Sequence, residues 1–593
     1  MAVELIYPAV RPSLDLNFAR SKTVDPRIAF TRASGATYYD GRTVAKAEEN
    51  LLVRSQEFGT SWSASGNVSV ASDATLSPDS TVTADSLIAL ATVGSHSVTQ
   101  ATGLSGTGQI FTASVYLKAG SAQYGYLSIS SSPTGVYWCA VVLNLSSGLI
   151  TQTSNGTGLS SVTSSVIPVG SGWYRLSLTA TYGPIANTVN VGVGVSDTAT
   201  PTFANYAIYS WTASGSESIY AWGAQLEQRS QVTAYTPTTA QPITNYIPVL
   251  QTAPAGVPRF DHDPVTGESL GLLVEDQRTN LFTQSEFGTG GSGTGLASVS
   301  AMFGPSGAYV NAIAFGHDGA TSSFRYKSGA AEGTQYTISV YVKMGDGGAP
   351  SFPIASGTSS QNDFALVIGG STINPATYKV EHVGNSLYRI SGSAVAGATA
   401  QNSGIVKYAS NSIRTFKTTG WQLEAGSFPT SYIKTEASQV TRAADSASMT
   451  GTNFSSWYRQ DEGAFLCDAA SFADAPVSYI VNTNNGLVSN RLAAYFTATA
   501  PRSLGTVDGA AIFQFTGQPA TKSCKTTFAY AVNNFAMSTD GSVPQTDTDG
   551  TTPLVNQLNI GHQLQVSQLN GHIKRLAYYP KRLSDTELKS LTT

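Results

Sequence analysis

The chain has 593 residues, a formal net charge of −4 and only 12% charged residues. Its Lys and Arg residues are scattered singly, and the lack of a basic stripe argues against nucleic-acid binding. No apolar run approaches the roughly 18 residues that a membrane-spanning helix needs, and the first residues lack the basic and apolar regions of a secretory signal.

Abundant Gly, Ser and Thr with few charges favour sheets and turns, so we expect an all-β protein. At roughly 100–200 residues per domain, we expect three to five domains.

The first 45 residues differ from the rest of the chain. Pro8, Pro12 and Pro26 interrupt this stretch, and its strand signals are weak. We therefore expect residues 1–45 to form an extended N-terminal arm that docks on another component of a larger assembly.

Four sequence blocks occur twice in the chain, in the same order. The pairs are residues 50–58 with 280–287, 111–120 with 336–345, 173–177 with 387–391, and 225–227 with 422–424. Four ordered matches indicate a duplication. We assign residues 46–240 to copy 1, residues 279–440 to copy 2 and residues 241–278 to a connector.

The matched blocks show the alternation of half-buried strands. Odd-numbered residues from Phe111 to Leu117 form an apolar face, and even-numbered residues from Thr112 to Lys118 form a polar face with one tyrosine. Copy 2 repeats this pattern over residues 336–343. Side chains of a strand point alternately to opposite faces, so one face of each block should be buried. Many such strands between Gly-, Ser- and Asn-rich turns predict a jelly-roll β-sandwich for each copy.

Residues 441–593 form a third predicted β module. Residues 462–466 alternate like a strand, and a Leu-Asn-Gly stretch at 569–571 begins another. Ser584 and Glu587 have the spacing of a capping box, so a short helix should begin there. A Leu-Asn-Gly strand followed by such a helix is similar to concanavalin-A-like lectin and laminin-G-like sandwiches, which implies that fold for this module.

The repeated blocks carry a second resemblance. Asn-Leu-Leu at 50–52, Tyr-Leu-Lys at 116–118, Gly-Trp-Tyr-Arg at 172–175 and Trp-Gly-Ala-Gln-Leu-Glu at 222–227 resemble a module common in phage structural proteins. That module is itself similar to jelly-roll carbohydrate-binding modules. Residues 30–40 and 258–275 resemble the same phage family.

This resemblance implies a bacteriophage head spike, decoration or tail fibre protein on the virion surface. Such a protein is made in the host cytoplasm, is commonly a homotrimer, docks on other virion proteins through its arm and adheres to host surface polysaccharide. The alternative is a purely architectural decoration protein that clamps capsid, collar or tail neighbours without binding glycan. A third hypothesis, an accessory binding protein of a polysaccharide-degrading enzyme, is disfavoured by the missing secretory signal.

The polar faces of the repeated strands carry residues suited to sugars. Sugar C–H groups pack on aromatic rings, and sugar hydroxyls bond to charged and amide groups. The candidates on these faces are Tyr116, Lys118, Arg175, Gln225 and Glu227 in copy 1, and Tyr341, Lys343, Arg389, Gln422 and Glu424 in copy 2. Trp222, which shares the other face of its strand with Leu226, is a further candidate in copy 1. The alternative is a structural network that fixes sheet register or lines an interface between modules. Copy 2 lacks the Trp-Gly-Ala sequence before its Gln, so copy 1 is the stronger candidate for binding.

Acidic residues are too sparse to suggest a pair of catalytic carboxylates, and we expect no enzymatic activity. The one close acidic cluster, Asp261, Asp263 and Glu268, lies in a turn with Pro264 and Gly267. We expect a structured connector there, with a structural calcium site as the alternative; no other cofactor is required.

The six histidines stand alone in the sequence, and each is expected to be a surface or turn residue.

Overall fold

The computed structural model describes residues 8–65, 67–184, 188–286, 292–328, 330–397, 402–472, 477–518 and 522–593. Strands make up 53% and helices 4% of the chain, which confirms the all-β prediction. The chain divides into two compact units: unit 1 comprises Met1–Ala45 and Ile247–Thr593, and unit 2 comprises Lys46–Tyr246. Unit 2 holds copy 1, whereas unit 1 holds copy 2 and the C-terminal module. Among the described residues, no helix has the length and apolar character needed to cross a membrane.

The strands and helices follow in chain order. The strands up to the end of copy 1 are β1 (Leu14–Leu16), β2 (Ala29–Thr31), β3 (Ala36–Asn50), β4 (Ser63–Ala64), β5 (Val68–Leu76), β6 (Val82–Ala89), β7 (Val93–Gly94), β8 (Ser97–Ser105), β9 (Ile110–Ala119), β10 (Tyr124–Ser132), β11 (Trp138–Asn144), β12 (Leu149–Asn155), β13 (Leu159–Gly170), β14 (Trp173–Tyr182), β15 (Thr188–Ser196), β16 (Trp211–Thr212) and β17 (Ser218–Glu227). The strands of the connector and copy 2 are β18 (Ile243–Ala253), β19 (Arg259–His262), β20 (Ser269–Val274), β21 (Arg278–Asn280), β22 (Ser292–Thr294), β23 (Ala297–Phe303), β24 (Tyr309–Phe315), β25 (Ser323–Ser328), β26 (Gln335–Met344), β27 (Ala365–Ile368), β28 (Ser371–Thr372), β29 (Lys379–His382), β30 (Leu387–Val395), β31 (Asn402–Lys407), β32 (Phe416–Ala425) and β33 (Val440–Arg442). The strands of the C-terminal module are β34 (Ser446–Thr450), β35 (Glu462–Ser471), β36 (Ser478–Asn484), β37 (Arg491–Phe496), β38 (Pro501–Val507), β39 (Ala510–Thr516), β40 (Ser523–Ala531), β41 (Phe535–Thr539), β42 (Gln545–Asp547), β43 (Gln557–Ile560) and β44 (Gly571–Tyr579). The helices are α1 (Phe18–Ser21), α2 (Thr452–Ser455) and α3 (Asp585–Thr592), with 3-10 turns at Asn205–Ala207 and Pro375–Thr377.

Copy 1 is a sandwich of two six-stranded sheets. Their strand orders are β13-β14-β9-β17-β6-β5 and β12-β11-β10-β15-β8-β4. The odd-numbered residues of β9, from Phe111 to Leu117, lie in the core between the sheets together with Leu127 and Val191. The alternation in the sequence therefore assigned the buried face of this strand correctly.

Copy 2 repeats the first of these sheets strand for strand. Its sheet β29-β30-β26-β32-β24-β23 has the same order as β13-β14-β9-β17-β6-β5 in copy 1. The facing sheet, β28-β27-β31-β25-β22, has one strand fewer than its counterpart, because the residues between β26 and β27 form no strand. β21 pairs with β33 where the chain enters and leaves copy 2. The repeat in the sequence is thus also a repeat in topology.

The C-terminal module is a sandwich of an eight-stranded and a seven-stranded sheet. The orders are β19-β20-β44-β35-β40-β41-β42, with β1 also paired to β44, and β2-β34-β43-β36-β37-β38-β39. Phe465, Ile560 and Tyr578 belong to the core between them. At the start of α3, Ser584 Oγ accepts a hydrogen bond from the Glu587 N–H, and the Glu587 side chain accepts one from the Ser584 N–H. The predicted capping box is confirmed.

Residues 14–31 do not form the extended docking arm expected from the sequence. β1 pairs with β44, with Leu14 opposite Tyr578, and β2 pairs with β34. Leu14, Leu16 and Phe18 are buried in the core of the C-terminal sandwich. β19 and β20 of the connector extend the same sandwich. These segments give hydrogen-bonding partners to strands that would otherwise be exposed edges. Residues 1–7 of the expected arm lie outside the described residues.

Candidate functional site

In both copies the repeated polar face is covered by the chain that follows the last strand of its sheet. We name residues 229–238 and 427–435 the clasps. One arginine holds each clasp by donating to a clasp carbonyl and to a serine of the central strand. These contacts are Arg175 Nη1 to Thr233 O (2.6 Å) and Nη2 to Ser114 Oγ (3.0 Å) in copy 1, and Arg389 Nη2 to Thr430 O (2.7 Å) and to Ser339 Oγ (2.9 Å) in copy 2. The guanidinium groups lie over the rings of Tyr116 and Tyr341.

The Gln-Leu-Glu motif completes the attachment of each clasp. Gln225 and Gln422 accept from clasp N–H groups, and Glu227 and Glu424 accept from both the N–H and the hydroxyl of a clasp threonine. The N–H distances are 2.7 Å from Thr236 to Gln225, 2.6 Å from Ile433 to Gln422, 2.9 Å from Thr233 to Glu227 and 2.9 Å from Thr430 to Glu424. Burial raises the pKa of Glu227 despite the hydrogen bonds from Thr233. The Gln and Glu side chains of the motif and the polar groups of the clasp therefore satisfy each other's hydrogen bonds where both are buried.

Most of the residues expected to bind sugar are buried by this arrangement. Gln225, Glu227, Gln422 and Glu424 are fully buried, and Arg175, Trp222 and Tyr341 are also buried. Tyr116, Lys118, Lys343 and Arg389 are half-buried. The side chains point away from the sandwich core, as expected from the alternation, but the clasp fills the space above them. The geometry favours the structural alternative at the buried positions, and sugar binding there stays a prediction.

A glycine with positive φ shapes the polar face in each copy. Gly223 (φ +61°) and Gly420 (φ +59°) lie where β17 and β32 shift register against the central strand. A Cβ at Gly420 would lie 2.6 Å from the Tyr341 ring, so only glycine lets this tyrosine pack. Trp222 precedes its glycine and lies outside the copy 1 core, whereas Trp421 follows its glycine and lies inside the copy 2 core.

A cavity of about 410 Å³ opens beside the polar face of copy 2, within unit 1. Its aromatic lining comes from residues of copy 2, the C-terminal sandwich and β3. Its charged and histidine side chains come from β19, β29, β30 and β44, and from Asp263 and Glu275, which directly follow β19 and β20. The aromatic residues are Tyr38, Tyr39, Tyr341, Tyr432 and Phe472, and the polar ones include Asp261, His262, Lys379, Glu381, His382, Arg389 and His572. The predicted residues Tyr341 and Arg389 thus border an open space, although Gln422 and Glu424 beside them do not line it.

Three of the six histidines of the chain line this cavity. His572 Nε2 lies 2.9 Å from Asp261 Oδ2, and Asp261 Oδ1 accepts from the Tyr39 N–H at 2.8 Å. His262 Nδ1 lies 3.1 Å from the Tyr39 carbonyl oxygen. The ring of His262 is only 2% exposed, and its Nε2 has no hydrogen-bond partner among the described residues. The Nε2 atom is itself inaccessible, so His262 contributes other atoms of its side chain to the cavity wall.

The tyrosines of the cavity are kept neutral. Burial raises the pKa of Tyr39 well above its usual value, and the neighbouring Tyr341 hydroxyl adds to this effect. Burial likewise raises the pKa of Tyr432. Neutral phenols can both donate and accept hydrogen bonds, as sugar hydroxyls require. At the open end, Lys379, Glu381 and His382 are exposed on β29.

A buried ion network supports the cavity floor. Glu275 pairs with Arg259 at 2.7 Å and with Arg442, and Asp445 pairs with Arg259 at 2.5 Å and with Arg32 at 3.0 Å. Burial opposes the ionisation of Glu275, but the charges of Arg442 and Arg259 outweigh it and lower its pKa to about 2. Glu275 Oε1 also accepts from the N–H of Ser431 in the copy 2 clasp at 2.7 Å. The network therefore joins copy 2 to the strands of the C-terminal sandwich.

The three acidic residues considered for calcium each have another partner. Asp261 bonds to His572, Asp263 Oδ1 accepts from two N–H groups of its own turn, and Glu268 pairs with Lys574 at 2.8 Å. No group of three or more acidic, histidine or cysteine side chains in the described part of the chain could hold a metal ion. Calcium binding stays a prediction, which this geometry does not favour.

A second cavity of about 240 Å³ adjoins the first and shares Tyr39 and Pro264 with it. Its walls are residues 40–44 of β3 and the turn at residues 264–267, together with Pro248 and Val249. In each of these two segments an aspartate fixes the backbone. Asp40 Oδ1 accepts from the N–H of Arg42 and Thr43, and Asp263 Oδ1 accepts from those of Val265 and Thr266.

Comparisons with known proteins found no matching family model and no matching curated protein. Among solved structures, the chain is similar to the CBM40 of the Ruminococcus gnavus IT-sialidase bound to α2,6-sialyllactose, at 14% identity and a TM-score of 0.21, covering 23% of this chain and 84% of that one. It is also similar to the N-terminal CBM22 tandem of Paenibacillus barcinonensis Xyn10C, at 11% identity and a TM-score of 0.19, covering 64% and 99%. The LG1-3 region of the laminin α2 chain matches at 8% identity and a TM-score of 0.18, covering 84% and 97%. Similarities at this level concern the β-sandwich fold and carry no argument about function.

Proposed function

We propose that this chain is a non-enzymatic, glycan-binding β-sandwich protein that binds sugar in the cavity beside copy 2. The observation that carries the proposal is the convergence of aromatic rings, neutral phenols and charged side chains on a cavity of about 410 Å³. This volume falls in the range of roughly 300–1,000 Å³ typical of ligand sites. Aromatic rings suit the C–H faces of sugars, and the surrounding polar groups suit their hydroxyls.

We further propose that the protein acts on the surface of a bacteriophage particle, as a head spike, decoration or tail fibre component. This part rests on the sequence motifs shared with phage structural proteins. A homotrimer would add avidity, because tethered copies of a weak site can gain roughly 10²–10⁴ in apparent affinity. Immunogold labelling of purified particles tests the location, and the absence of label from particles would contradict it.

A glycan array with matched variants tests the binding site. The double variant Lys379→Ala/His382→Ala removes two exposed side chains at the cavity mouth, so the fold should be retained. We expect its binding to fall by about tenfold or more, equivalent to about 1.4 kcal/mol. The matched control is Lys118→Ala in copy 1, which should bind like the unaltered protein.

The other outcomes are equally informative. Loss of binding in the Lys118→Ala variant alone would move the site to copy 1. Shortened glycans after incubation would contradict the non-enzymatic part of the proposal.

The second candidate function is architectural: a decoration protein that clamps neighbouring virion proteins without binding glycan. One observation favours it, namely that both copies use their repeated polar face internally to hold a clasp. Particle labelling together with a blank glycan array would support this alternative.

A further inference from the structure

We propose that the cavity beside copy 2 takes an unbranched oligosaccharide of two or more sugar rings, which extends into the second cavity. This inference rests on the proposed glycan binding and names its ligand class. The first argument is proximity. The two cavities share Tyr39 and Pro264, so the larger one, of about 410 Å³, and the smaller one, of about 240 Å³, border the same two residues.

The second argument is the chemistry of the smaller cavity. Its exposed apolar residues Val44 and Val265 are 56% and 52% exposed, and Pro248 and Val249 lie beside them. These exposed valines, one on β3 and one on the turn at residues 264–267, offer an apolar surface to the C–H face of a ring. The carboxylates of Asp40 and Asp263 accept hydrogen bonds from backbone N–H groups beside them, which fixes the walls, and the exposed Arg42 adds a charged side chain. The smaller cavity thus offers apolar contacts for a sugar ring and charged groups for its hydroxyls.

The third argument is the position of His262 between the cavities. Its ring lines the larger cavity, and a Cβ placed on Gly41 of the smaller cavity would lie 2.5 Å from its Cδ2 atom. The ring therefore sits where the two spaces approach each other. A ligand that spans both cavities would therefore pass beside this ring.

An array of neutral and acidic glycans, each printed as mono-, di-, tri- and tetrasaccharides, tests the inference. We expect binding to increase from monosaccharide to trisaccharide by at least tenfold for the same terminal sugar. Equal binding of a monosaccharide and its longer forms would overturn the inference while leaving glycan binding intact. A blank array would contradict the proposed function itself, and this inference with it.

Filling the second cavity gives the sharper test. Thr266 is exposed in the turn fixed by Asp263, and Thr266→Trp places a large side chain in the smaller cavity. The matched control is Thr321→Trp, because Thr321 is exposed in the same kind of turn, fixed by Asp318 and away from both cavities. Both variants should melt like the unaltered protein.

The expected result concerns the trisaccharide that binds best on the array. By isothermal titration, Thr266→Trp should lose about tenfold in affinity for this trisaccharide, while Thr321→Trp should lose nothing. Unchanged trisaccharide binding in Thr266→Trp would overturn the inference. An equal loss in both variants would also overturn it, since the effect would then be independent of the second cavity.

Discussion

At the scale of single residues, removal of the Glu275 carboxylate should destabilise the protein strongly. It is fully buried, contacts two arginines and accepts hydrogen bonds from Ser431. Glu275→Gln would remove the carboxylate that pairs with both Arg259 and Arg442, and Asp445 would remain as the ion-pair partner of Arg259 and Arg32. Breaking one side of a buried ion network typically costs about 3–5 kcal/mol, because a charge is left uncompensated. Urea unfolding of the variant should show a loss of this size in the transition of unit 1.

The pH dependence gives a second readout for the same residue. The pKa of Glu275 is lowered to about 2 from the ordinary value of 4.5. A lowered pKa means that the ionised group stabilises the fold above pH 4.5, and that this contribution disappears as the pH falls through about 2. Glu275→Gln should therefore flatten the acid side of the stability profile. The control is Glu268→Gln, whose exposed pair with Lys574 should contribute less than about 1 kcal/mol.

The sequence predicted the direction of side chains better than their surroundings. Alternation placed Tyr116 and Arg175 on the face opposite Leu117, and the structure agrees. Alternation describes one strand, however, and carries no information on the irregular clasp that returns across the face. The histidines were missed for the same reason: His262, His382 and His572 are far apart in sequence, and only the packing of three strands brings them to one cavity.

At the scale of elements, the short strand β1 shows how a weak sequence signal can be structurally important. It has three residues, too few for a clear alternation, and Pro8 and Pro12 precede it. Its position is fixed by pairing with β44, which lies more than 500 residues further along the chain. The repeated strands β9 and β26 have ten residues each, and these were readily predicted. Short length is one reason why β1 was missed, but length alone does not decide, because the 15-residue strand β3 begins within residues 1–45, where the strand signals are weak.

Removing residues 1–31 should destabilise the C-terminal sandwich. Leu14, Leu16 and Phe18 would leave its core, and β44 and β34 would each lose a neighbouring strand. We expect the truncated chain to aggregate, because unpaired edges recruit other chains. Leu16→Ala is the milder test and should cost about 2–5 kcal/mol, whereas Leu554→Ala, at an exposed position in the same module, should cost little. A truncated chain that unfolds like the full one would show that β1 and β2 are dispensable.

At the scale of the whole molecule, the order of segments in the chain has a consequence for folding. Unit 2 is one continuous segment, Lys46–Tyr246, whereas unit 1 is built from two segments on either side of it. In unit 1, Leu14 pairs with Tyr578 across nearly the whole chain. Closing so long a loop costs conformational entropy before any contact is gained, so such pairings form late. In unit 2, two residues in contact are separated in sequence by no more than the length of that one segment.

Unit 2 should therefore fold first and without the rest of the chain. In refolding from urea followed by pulsed hydrogen exchange, amides of β9 and β14 in unit 2 should become protected before those of β1 and β44. The isolated fragment 46–246 should show a cooperative thermal transition, since it has a core of its own centred on residues such as Leu127 and Val191. Protection of β44 at the same rate as β9 would indicate instead that the two units fold together, and an unfolded fragment would show that unit 2 depends on unit 1.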